Sequence, residues 1–250
     1  MPSTLPERGE AHLWYARTEV CCTPERLAYY RSLLCPDEVA RYERLASNAL
    51  RHEYLLTRAL CRLGLSRYSG IAPTEWRFTA NEHGRPRIDP ADAATDLHFN
   101  LSNARSLVAG IFVRGIDAGV DVEHTTRDSH IEEIAGRYFA PAEVKALMRL
   151  AAPLRRERFF SLWTLKESYA KARGMGLSVG LRHFSFDLDR PPPVRVAFEP
   201  AFDDVAEHWQ FGLLQPDDAH CVAYALKRGD GTDWRVRIAE CVPDRDFACV

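Results

Sequence analysis

Two acids on one face of an apolar strand are the first residues in this chain that could do chemistry. In the segment GVDVE, residues 119–123, valines alternate with Asp121 and Glu123. Because side chains alternate across a strand, both acids project from the same face, roughly 7 Å apart. Oxygen ligands suit Mg²⁺, which also binds substrate phosphates, and Mn²⁺ accepts the same ligands. The alternative is a solvent-facing strand that carries two ordinary acids.

A third acid interrupts the apolar face of a long predicted helix within residues 154–180. Apolar residues recur there at three- and four-residue steps, and Gly174 ends the pattern. Glu167 lies four residues after Trp163 and four before Lys171, so these three share one side of the helix. A carboxylate beside a packed aromatic ring needs a cation, which Lys171 or a metal ion can supply. Glu167 is therefore the natural third ligand of a metal held by the strand acids.

Two turn motifs in the first half carry groups that bind phosphate. In GRPRI, Arg85 is held between a glycine and Pro86, and its guanidinium can fork onto a phosphate or stay an exposed turn arginine. In FNLSNAR, a strand runs into Ser102 and Asn103, which can contact a phosphate or cap a turn. Two predicted helices also share a cationic edge, a pattern that usually marks a solvated face. Its members are Arg41, Arg44, Arg51 and Arg58.

The composition permits a large core and excludes several classes of function. With 250 residues, 46% of them hydrophobic, the chain can bury one large core or form two domains. A formal charge of −2 gives no signature of nucleic-acid binding. The seven cysteines lack CxxC spacing, and no signal peptide or transmembrane stretch is evident. We therefore expect a reduced cytoplasmic protein with no nucleic-acid or membrane partner.

Predicted helices and predicted strands follow one another in groups along the chain. The predicted strands are residues 12–18, 97–101, 107–113, 119–123, 184–188, 194–198, 209–214 and 221–226. The predicted helices are residues 36–46, 50–65, 130–138, 141–150 and the long helix that ends at Gly174. Residues 232–250 are expected to form an edge strand with a loose tail.

A weak internal repeat accompanies these elements. PDEVARYERLA begins at residue 36 and PAEVKALMRLA at residue 141, and each precedes an arginine-rich helix. LVAGIFVRG at residue 107 likewise resembles CVAYALKRG at residue 221. Three elements that recur in the same order favour duplication over chance resemblance of amphipathic segments. In this repeat Glu167 aligns with Arg62, so only the second copy carries the helix acid.

Together these motifs resemble the 4′-phosphopantetheinyl transferases of the Sfp type, enzymes that activate acyl and peptidyl carrier proteins. The resemblance covers about residues 36–226, and its specific part is GVDVE followed by WTLKESYAKARGMGLS. It implies an α+β fold in which two duplicated α/β halves form a pseudodimer with pseudo-twofold symmetry in one chain. The first half, residues 1–115, would bind the nucleotide of coenzyme A. The second half, residues 116–250, would carry the metal and catalytic residues and contact the carrier protein.

The resemblance also implies a role for individual residues. Coenzyme A would bind in the cleft between the halves, with Mg²⁺, or Mn²⁺ in its place, on the pyrophosphate. The metal ligands would be Asp121, Glu123 and Glu167, and the catalytic residues Glu167, Lys171 and Asp121. The residues that contact the coenzyme A phosphates and nucleotide would be Arg41, Arg51, Arg85, Pro86, Ser102, Asn103 and Lys171.

The implied reaction is attack of a carrier-protein serine on the β-phosphorus of coenzyme A, which releases adenosine 3′,5′-bisphosphate. Phosphoryl transfer requires mainly positioning and charge neutralisation, and Glu167 is the candidate base for the serine proton. We expect a monomer that binds coenzyme A and an apo acyl or peptidyl carrier protein. A basic rim for the acidic carrier is expected at Arg155, Arg156 and Arg158 and at residues 177–183.

One residue departs from the family pattern, and alternatives to the transferase stay open. The family's FN-S-H motif has histidine where this chain has Asn103, which hydrogen-bonds but carries no charge and so bears on nucleotide preference. The same acids could serve a Mg²⁺-dependent nucleotide phosphohydrolase that activates water. A non-catalytic homologue that binds coenzyme A or carrier proteins is a further alternative, as is a duplicated structural domain. The intact set of Asp121, Glu123, Glu167 and Lys171 favours the enzyme.

Overall fold

Groups of helices and groups of strands follow one another along the described chain. A computed structural model describes residues 6–7, 9–92, 96–127, 129–229 and 231–247. The helices are α1 (Thr18–Cys21), α2 (Pro24–Ser32), α3 (Pro36–Glu43), α4 (Asn48–Ser69), α5 (Ile131–Tyr138), α6 (Pro141–Met148), α7 (Ala152–Arg173) and α8 (Pro243–Asp246). The strands are β1 (Glu10–Arg17), β2 (Phe78–Ala80), β3 (Pro86–Ile88), β4 (Leu97–Ala104), β5 (Leu107–Arg114), β6 (Ala118–His124), β7 (Phe184–Asp187), β8 (Arg195–Phe198), β9 (Trp209–Asp217), β10 (His220–Lys227) and β11 (Arg235–Glu240). The α+β class expected from the sequence is confirmed.

The chain divides into two compact units, and the C-terminal segment belongs to the first. Unit 1 comprises the described residues of Met1–Gly115 and Arg235–Val250, and unit 2 those of Ile116–Trp234. The sequence assigned residues 116–250 to one half, but β11 pairs in parallel with β1, so its backbone hydrogen bonds are made in unit 1. The loose tail expected after it is corrected as far as residue 247, and residues 248–250 lie outside the described residues. Helix α8 follows β11, and Phe247 is buried in the hydrophobic core of unit 1.

Unit 1 consists of a four-stranded sheet with the long helix α4 on one face. The strand order is β11-β1-β5-β4, and β2 and β3 form a separate hairpin. Helix α4 starts where Ser47 Oγ accepts the backbone N–H of Leu50, and it ends at Gly70 in the left-handed conformation. Leucines on its inner face, among them Leu56 and Leu60, are fully buried. Burial of this apolar stripe against β4 and β5 fixes the helix on the sheet.

Unit 2 consists of a three-stranded sheet covered by the long helix α7. The strand order is β6-β10-β9, and β7 and β8 form a separate hairpin. Phe159, Phe160 and Ala170 of α7 are fully buried, as their helical spacing predicts. Gly174 ends α7 with a φ of 66°, a left-handed conformation that glycine adopts without a Cβ clash. The apolar stripe therefore holds α7 on the sheet, and Gly174 fixes where the helix that bears Glu167 ends.

The two units share one order of elements. Each has a strand, a short helix that begins at a proline, a helix of 22 residues, a hairpin and two antiparallel strands. In each unit a glutamate of the short helix binds a buried cation of the long helix: Glu38 binds Arg62 at 2.8 Å, and Glu143 binds Lys166 at 2.9 Å. The structural counterpart of Arg62 is therefore Lys166, not Glu167 as the sequence repeat suggested. The connection between α6 and α7 is one residue shorter than that between α3 and α4, so the long helices align with an offset one residue smaller than the short helices do.

Within the described part of the chain, no helix is both long and apolar enough to cross a membrane.

Candidate active site

A glycine in β6 allows α7 to approach the strand very closely. A Cβ atom built at Gly119 would lie 2.0 Å from the backbone oxygen of Ser168 and 2.5 Å from the backbone nitrogen of Ala172. Any larger residue would therefore push helix and strand apart. Since side chains two residues apart share a strand face, Asp121 and Glu123 project under the same helix. This contact is the local reason that the strand acids and the helix acid form one cluster.

The cluster is centred on Asp121, which lies buried between strand and helix. Its Oδ1 accepts a hydrogen bond from Lys171 Nζ at 2.7 Å. Burial and, to a smaller extent, the neighbouring charge of Asp121 together raise the pKa of Glu167 to about 7, although Lys171 acts in the opposite direction. Lys171 thus binds the strand acid and also lowers the pKa of Glu167, its neighbour one helical turn away. The sequence predicted the members of this cluster but not this pairing.

Glu123, the second strand acid, is held by two residues whose role the sequence did not indicate. Trp163 Nε1 donates to its Oε1 at 2.8 Å, and Arg127 Nη1 lies 3.2 Å from its Oε2. Burial and, to a smaller extent, Asp121 together raise the pKa of Glu123 to about 7, although Arg127 acts in the opposite direction. The helical spacing predicts Trp163 only as an apolar contact. Its place one turn before Glu167 was the signal that its indole N–H faces the same acids.

The loop that carries Arg127 is fixed by the first turns of α7. Arg156 Nε donates to the backbone oxygen of Thr125 at 2.6 Å, and Arg156 also donates to the backbone oxygen of Arg127. The guanidinium groups of Arg127 and Arg156 lie 5.6 and 5.2 Å from the ring centroid of Phe160. These contacts hold Arg127 near the acids. Its sequence position, in a turn with no motif, gave no sign of this.

The three acids have the donor chemistry of a divalent-metal site, and two of them, Asp121 and Glu123, contact the protein's own cations and indole. In the described ranges, no three His, Cys, Asp or Glu side chains already converge as a metal ion would require. Lys171, Trp163 and Arg127 instead hold Asp121 and Glu123. The pKa values of Glu123 and Glu167 are raised mainly by burial and also by the charge of Asp121. An all-oxygen set of this kind fits Mg²⁺ or Mn²⁺.

The arginines expected to form a basic rim are engaged within unit 2. Arg155 Nη1 donates to Glu132 of α5 at 3.0 Å, and Arg158 Nη1 donates to Asp189 at 2.6 Å. Arg156 holds the loop described above. Leu177, in the segment after Gly174, exposes 51% of its surface. These arginines therefore position the elements around the acids in addition to any contact with a partner.

In unit 1, two arginines predicted to bind phosphate interlock the helices α3 and α4. The guanidinium of Arg41 in α3 lies 5.8 Å from the ring centroid of Tyr54 in α4. The guanidinium of Arg51 in α4 lies 5.9 Å from the ring centroid of Tyr42 in α3. Cation–π contacts of this kind hold the charged heads at the surface of the helix pair. Both arginines thus belong to one cationic face of unit 1.

The GRPRI turn holds Arg85 in a buried position. Arg85 exposes 9% of its surface, so it is not the exposed turn arginine that the sequence left as an alternative. Its backbone N–H donates to Asn81 Oδ1 at 2.8 Å, and its backbone oxygen accepts from Asn81 N at 3.1 Å. Pro86 follows as the first residue of β3. Asn81 closes the turn, and the turn sets the direction of the arginine.

The FNLSN motif lies at the end of β4, where an acid of α4 meets it. Ser102 is buried and pairs with Ala109 of β5, and Asn103 is exposed. Asn103 Nδ2 donates to Glu53 Oε2 at 3.1 Å. No motif distinguishes Glu53 in the sequence, and we did not predict its role.

Comparison with known proteins agrees with these motifs. A model of the 4′-phosphopantetheinyl transferase superfamily matches residues 117–225, a range that contains all the acids of the cluster. The 4′-phosphopantetheinyl transferase HetI of Nostoc sp. is 30% identical over 222 residues, which cover 89% of each chain. The chain belongs to the 4′-phosphopantetheinyl transferase superfamily. The resemblance inferred from the motifs and the enzyme class it implies are thereby confirmed.

Two further relatives of this transferase come from Bacillus subtilis. The 4′-phosphopantetheinyl transferase Sfp is 30% identical over 167 residues, 67% of this chain and 72% of that protein. A second 4′-phosphopantetheinyl transferase is 33% identical over 184 residues, 70% of this chain and 79% of that protein. The similarity thus extends through both units of the chain and is not confined to the acidic motifs.

Proposed function

We propose that this transferase moves the 4′-phosphopantetheine group from coenzyme A to a serine of an apo acyl or peptidyl carrier protein. The observation that supports the proposal most strongly is the cluster of Asp121, Glu123, Glu167 and Lys171 where α7 crosses β6. It combines three carboxylates with a lysine, the groups that phosphoryl transfer with a divalent metal uses. We further propose that the protein acts as a monomer in the cytoplasm.

In this proposal Asp121, Glu123 and Glu167 hold the divalent metal, Mg²⁺ or Mn²⁺. When bound, the metal supplies positive charge that neutralises the diphosphate of coenzyme A as charge develops on the leaving group. Trp163 and Arg127 orient Glu123, and Lys171 orients Asp121, so the ligands are held before substrate binds. The contacts of Arg127 with Glu123 and of Lys171 with Asp121 would weaken when a metal cation binds, because the negative charge of each acid would then be shared between the metal and the side-chain cation.

Glu167 is the proposed base for the serine hydroxyl. Without a metal, burial together with Asp121 raises the pKa of Glu167 to about 7, and a bound cation would lower that pKa and keep Glu167 ionised, the form that accepts a proton. Glu167 would take the serine proton as the serine oxygen bonds to the β-phosphorus of coenzyme A. The bond from this phosphorus to the bridging oxygen breaks, and adenosine 3′,5′-bisphosphate leaves. Lys171 would donate to phosphate oxygens near the reacting centre.

The nucleotide part of coenzyme A is assigned to residues of unit 1. Arg41 and Arg51 present charged heads on the α3–α4 face, and charged arginine heads bind phosphate well. Arg85, directed by the turn that precedes Pro86, and the β4 end with Ser102 and Asn103 complete the proposed set. We propose that the carrier protein contacts unit 2, where Leu177 is exposed beside the acids' helix.

The experiment that tests this function replaces the proposed base without changing its shape. Transfer from coenzyme A to an apo acyl and an apo peptidyl carrier protein would be followed for wild type, Glu167→Gln and Glu157→Gln. Glu157 is an exposed acid of the same helix and serves as the matched control. We expect Glu167→Gln to lose at least about a hundredfold in rate, the lower end of general-base contributions, and the control to keep full activity. Wild-type rates in Glu167→Gln would overturn its roles as base and ligand.

A further inference from the structure

A groove of about 600 Å³ lies between the strands β8 and β9 of unit 2. Val194, just before β8, and Val196 line it on one side, and Phe211 and Leu213 of β9 line it on the other. All four side chains belong to or pack against the hydrophobic core of the unit, so the two strands lie in one layer. In unit 1 the corresponding hairpin strand β3 lies against β4. Among the described residues that line the groove, none belongs to the acid cluster.

The edge of β9 at this groove has unpaired backbone groups. In an antiparallel pair, successive residues direct their backbone N–H and C=O groups alternately toward and away from the partner strand. The N–H of Arg228 donates to the backbone oxygen of His208 at 2.7 Å, so the even-numbered residues of β9 are those that bond to β10. Trp209, Phe211 and Leu213, which line the groove, therefore direct their backbone groups away from β10. Within the described ranges, these outward groups make no hydrogen bond.

The edge of β8 on the other side of the groove is unpaired in the same way. The N–H of Glu199 donates to the backbone oxygen of His183 at 2.9 Å, so the alternation directs the backbone groups of Val196 away from β7. The N–H of Phe186, the partner of Val196 in register, accordingly donates to Glu143 and not to β8. The backbone of Val196 makes no hydrogen bond to any residue that the structure describes. Two open strand edges thus line one groove.

The charged residues that line the groove are two arginines and two acids. Arg228 binds Asp233 and donates to the backbone oxygen of Glu207 at 3.4 Å. Arg195 is exposed, and its cross-strand neighbour Asp187 binds another arginine at 3.0 Å. Among the described residues, neither the guanidinium of Arg195 nor the carboxylate of Glu207 has an ion-pair partner. A ligand with one acidic side chain beside Arg195 complements this charge, whereas a strongly acidic ligand would be repelled by Glu207.

These features define the chemistry of a ligand for the groove. Unpaired backbone groups on both sides of a gap fit the backbone of an extended peptide, which can pair with two strands at once. The outward groups of β9 span residues 209–213, so about five peptide residues fit at the rise of a strand. We propose that the groove binds an extended segment of a partner protein by strand addition, with apolar side chains facing the core and an acid beside Arg195. The inference goes beyond the transfer reaction and does not depend on it.

The test uses the full chain and two synthetic peptides, acetyl-Val-Glu-Val-Thr-Val-amide and acetyl-Val-Thr-Val-Glu-Val-amide. The two peptides place the acid near opposite ends, so that both directions of the added strand are covered. We expect calorimetry to show that at least one peptide binds with a Kd below about 1 mM. The same peptide with N-methyl groups on its second and fourth residues should bind at least about tenfold more weakly, because it loses the hydrogen bonds to one strand edge.

Two further measurements locate the bound peptide. Arg195→Gln should weaken binding about threefold, the scale of an exposed ion pair, while Arg149→Gln, which removes an exposed arginine that does not line the groove, should leave binding unchanged. Hydrogen exchange followed by NMR should slow at the backbone amides of Phe211, Leu213 and Val196 when the peptide binds.

The proposal is overturned if neither peptide binds, if the N-methylated peptide binds as tightly as its parent, or if the amides that slow lie elsewhere. Slower exchange of the same amides at higher protein concentration, without peptide, would overturn it in favour of a second copy of this chain in the groove. Each of these outcomes leaves the proposed transferase function standing, because the groove and the acid cluster share no described residue.

Discussion

Replacing Lys166 should destabilise unit 2 more than most single substitutions do, because Lys166 is a fully buried cation. Its Nζ donates to Glu143 Oε2 at 2.9 Å and to the backbone oxygens of Leu181 and Phe184 at 2.8 and 2.6 Å. Burial lowers the pKa of Lys166, and Glu143 offsets part of that effect. Glu143 Oε1 in turn accepts the backbone N–H of Phe186 at 2.9 Å. The pair therefore ties α6, α7 and the β7 hairpin together.

The expected magnitude follows from what Lys166→Met leaves behind. A buried carboxylate and two carbonyl oxygens lose their cation, and removal of one partner of a buried ion pair costs about 3–5 kcal/mol. For a chain of this size each kcal/mol lowers the melting temperature by about 2–4 °C, so we expect a loss on the order of 10 °C. Lys166→Arg should retain most of the stability, since Arg62 fills the corresponding place in unit 1.

The assay is thermal and urea unfolding of wild type, Lys166→Met, Glu143→Gln and the double variant. The double variant should be more stable than Lys166→Met, because it no longer buries an uncompensated charge. A loss below about 3 °C in Lys166→Met would refute this reasoning. So would a double variant no more stable than Lys166→Met, because the pair would then not be coupled.

Three further predictions concern packing, pH and the metal. Gly119→Ala should lower the transfer rate at least about tenfold, because the added Cβ displaces α7 from the acids. Gly136→Ala, whose Cβ would meet no atom within 4 Å, should keep the wild-type rate, and equal rates in the two variants would contradict the close approach of α7 and β6. Burial lowers the pKa of His12 from 6.5, with a partial offset from Glu10, so below about pH 6.5 the unfolded chain binds more protons and the free energy of unfolding should fall. A His12→Asn variant whose urea midpoint falls as much as that of wild type over the same pH range would rule this out. Mg²⁺ or Mn²⁺ added to metal-free protein should change the tryptophan fluorescence, and EDTA should reverse the change, since Trp163 donates to Glu123. If Trp163→Phe showed the same fluorescence change as wild type, that would count against this contact.

Local patterns in the sequence predicted the elements and the faces of their side chains. Alternation placed Asp121 and Glu123 on one face of β6, and four-residue spacing placed Trp163 and Glu167 on one side of α7. Both features depend only on the repeat of a strand or helix, so they are visible in a short segment. The α+β class was implied by the family resemblance, and the observed order, in which groups of helices and groups of antiparallel strands follow one another, agrees with it.

Contacts between distant segments could not be predicted in the same way. The hydrogen bond from Lys171 to Asp121 depends on how closely α7 approaches β6. Gly119 permits this approach because it has no Cβ atom. The place of β11 beside β1 joins segments from opposite ends of the chain. Glu53 contacts the turn after β4, and Arg127 contacts Glu123 from the turn after β6. Both contacts depend on the conformation of a turn, which the repeat of a strand or helix does not predict.

The most direct test of the central claim is intact-mass spectrometry of an apo carrier protein incubated with this transferase, coenzyme A and Mg²⁺. Controls would contain EDTA, or Glu167→Gln in place of wild type. We predict that the carrier gains the mass of one phosphopantetheine, and that the gain is absent with EDTA and greatly reduced with Glu167→Gln. No gain on any acyl or peptidyl carrier protein, with coenzyme A still bound to the transferase, would contradict the proposed function.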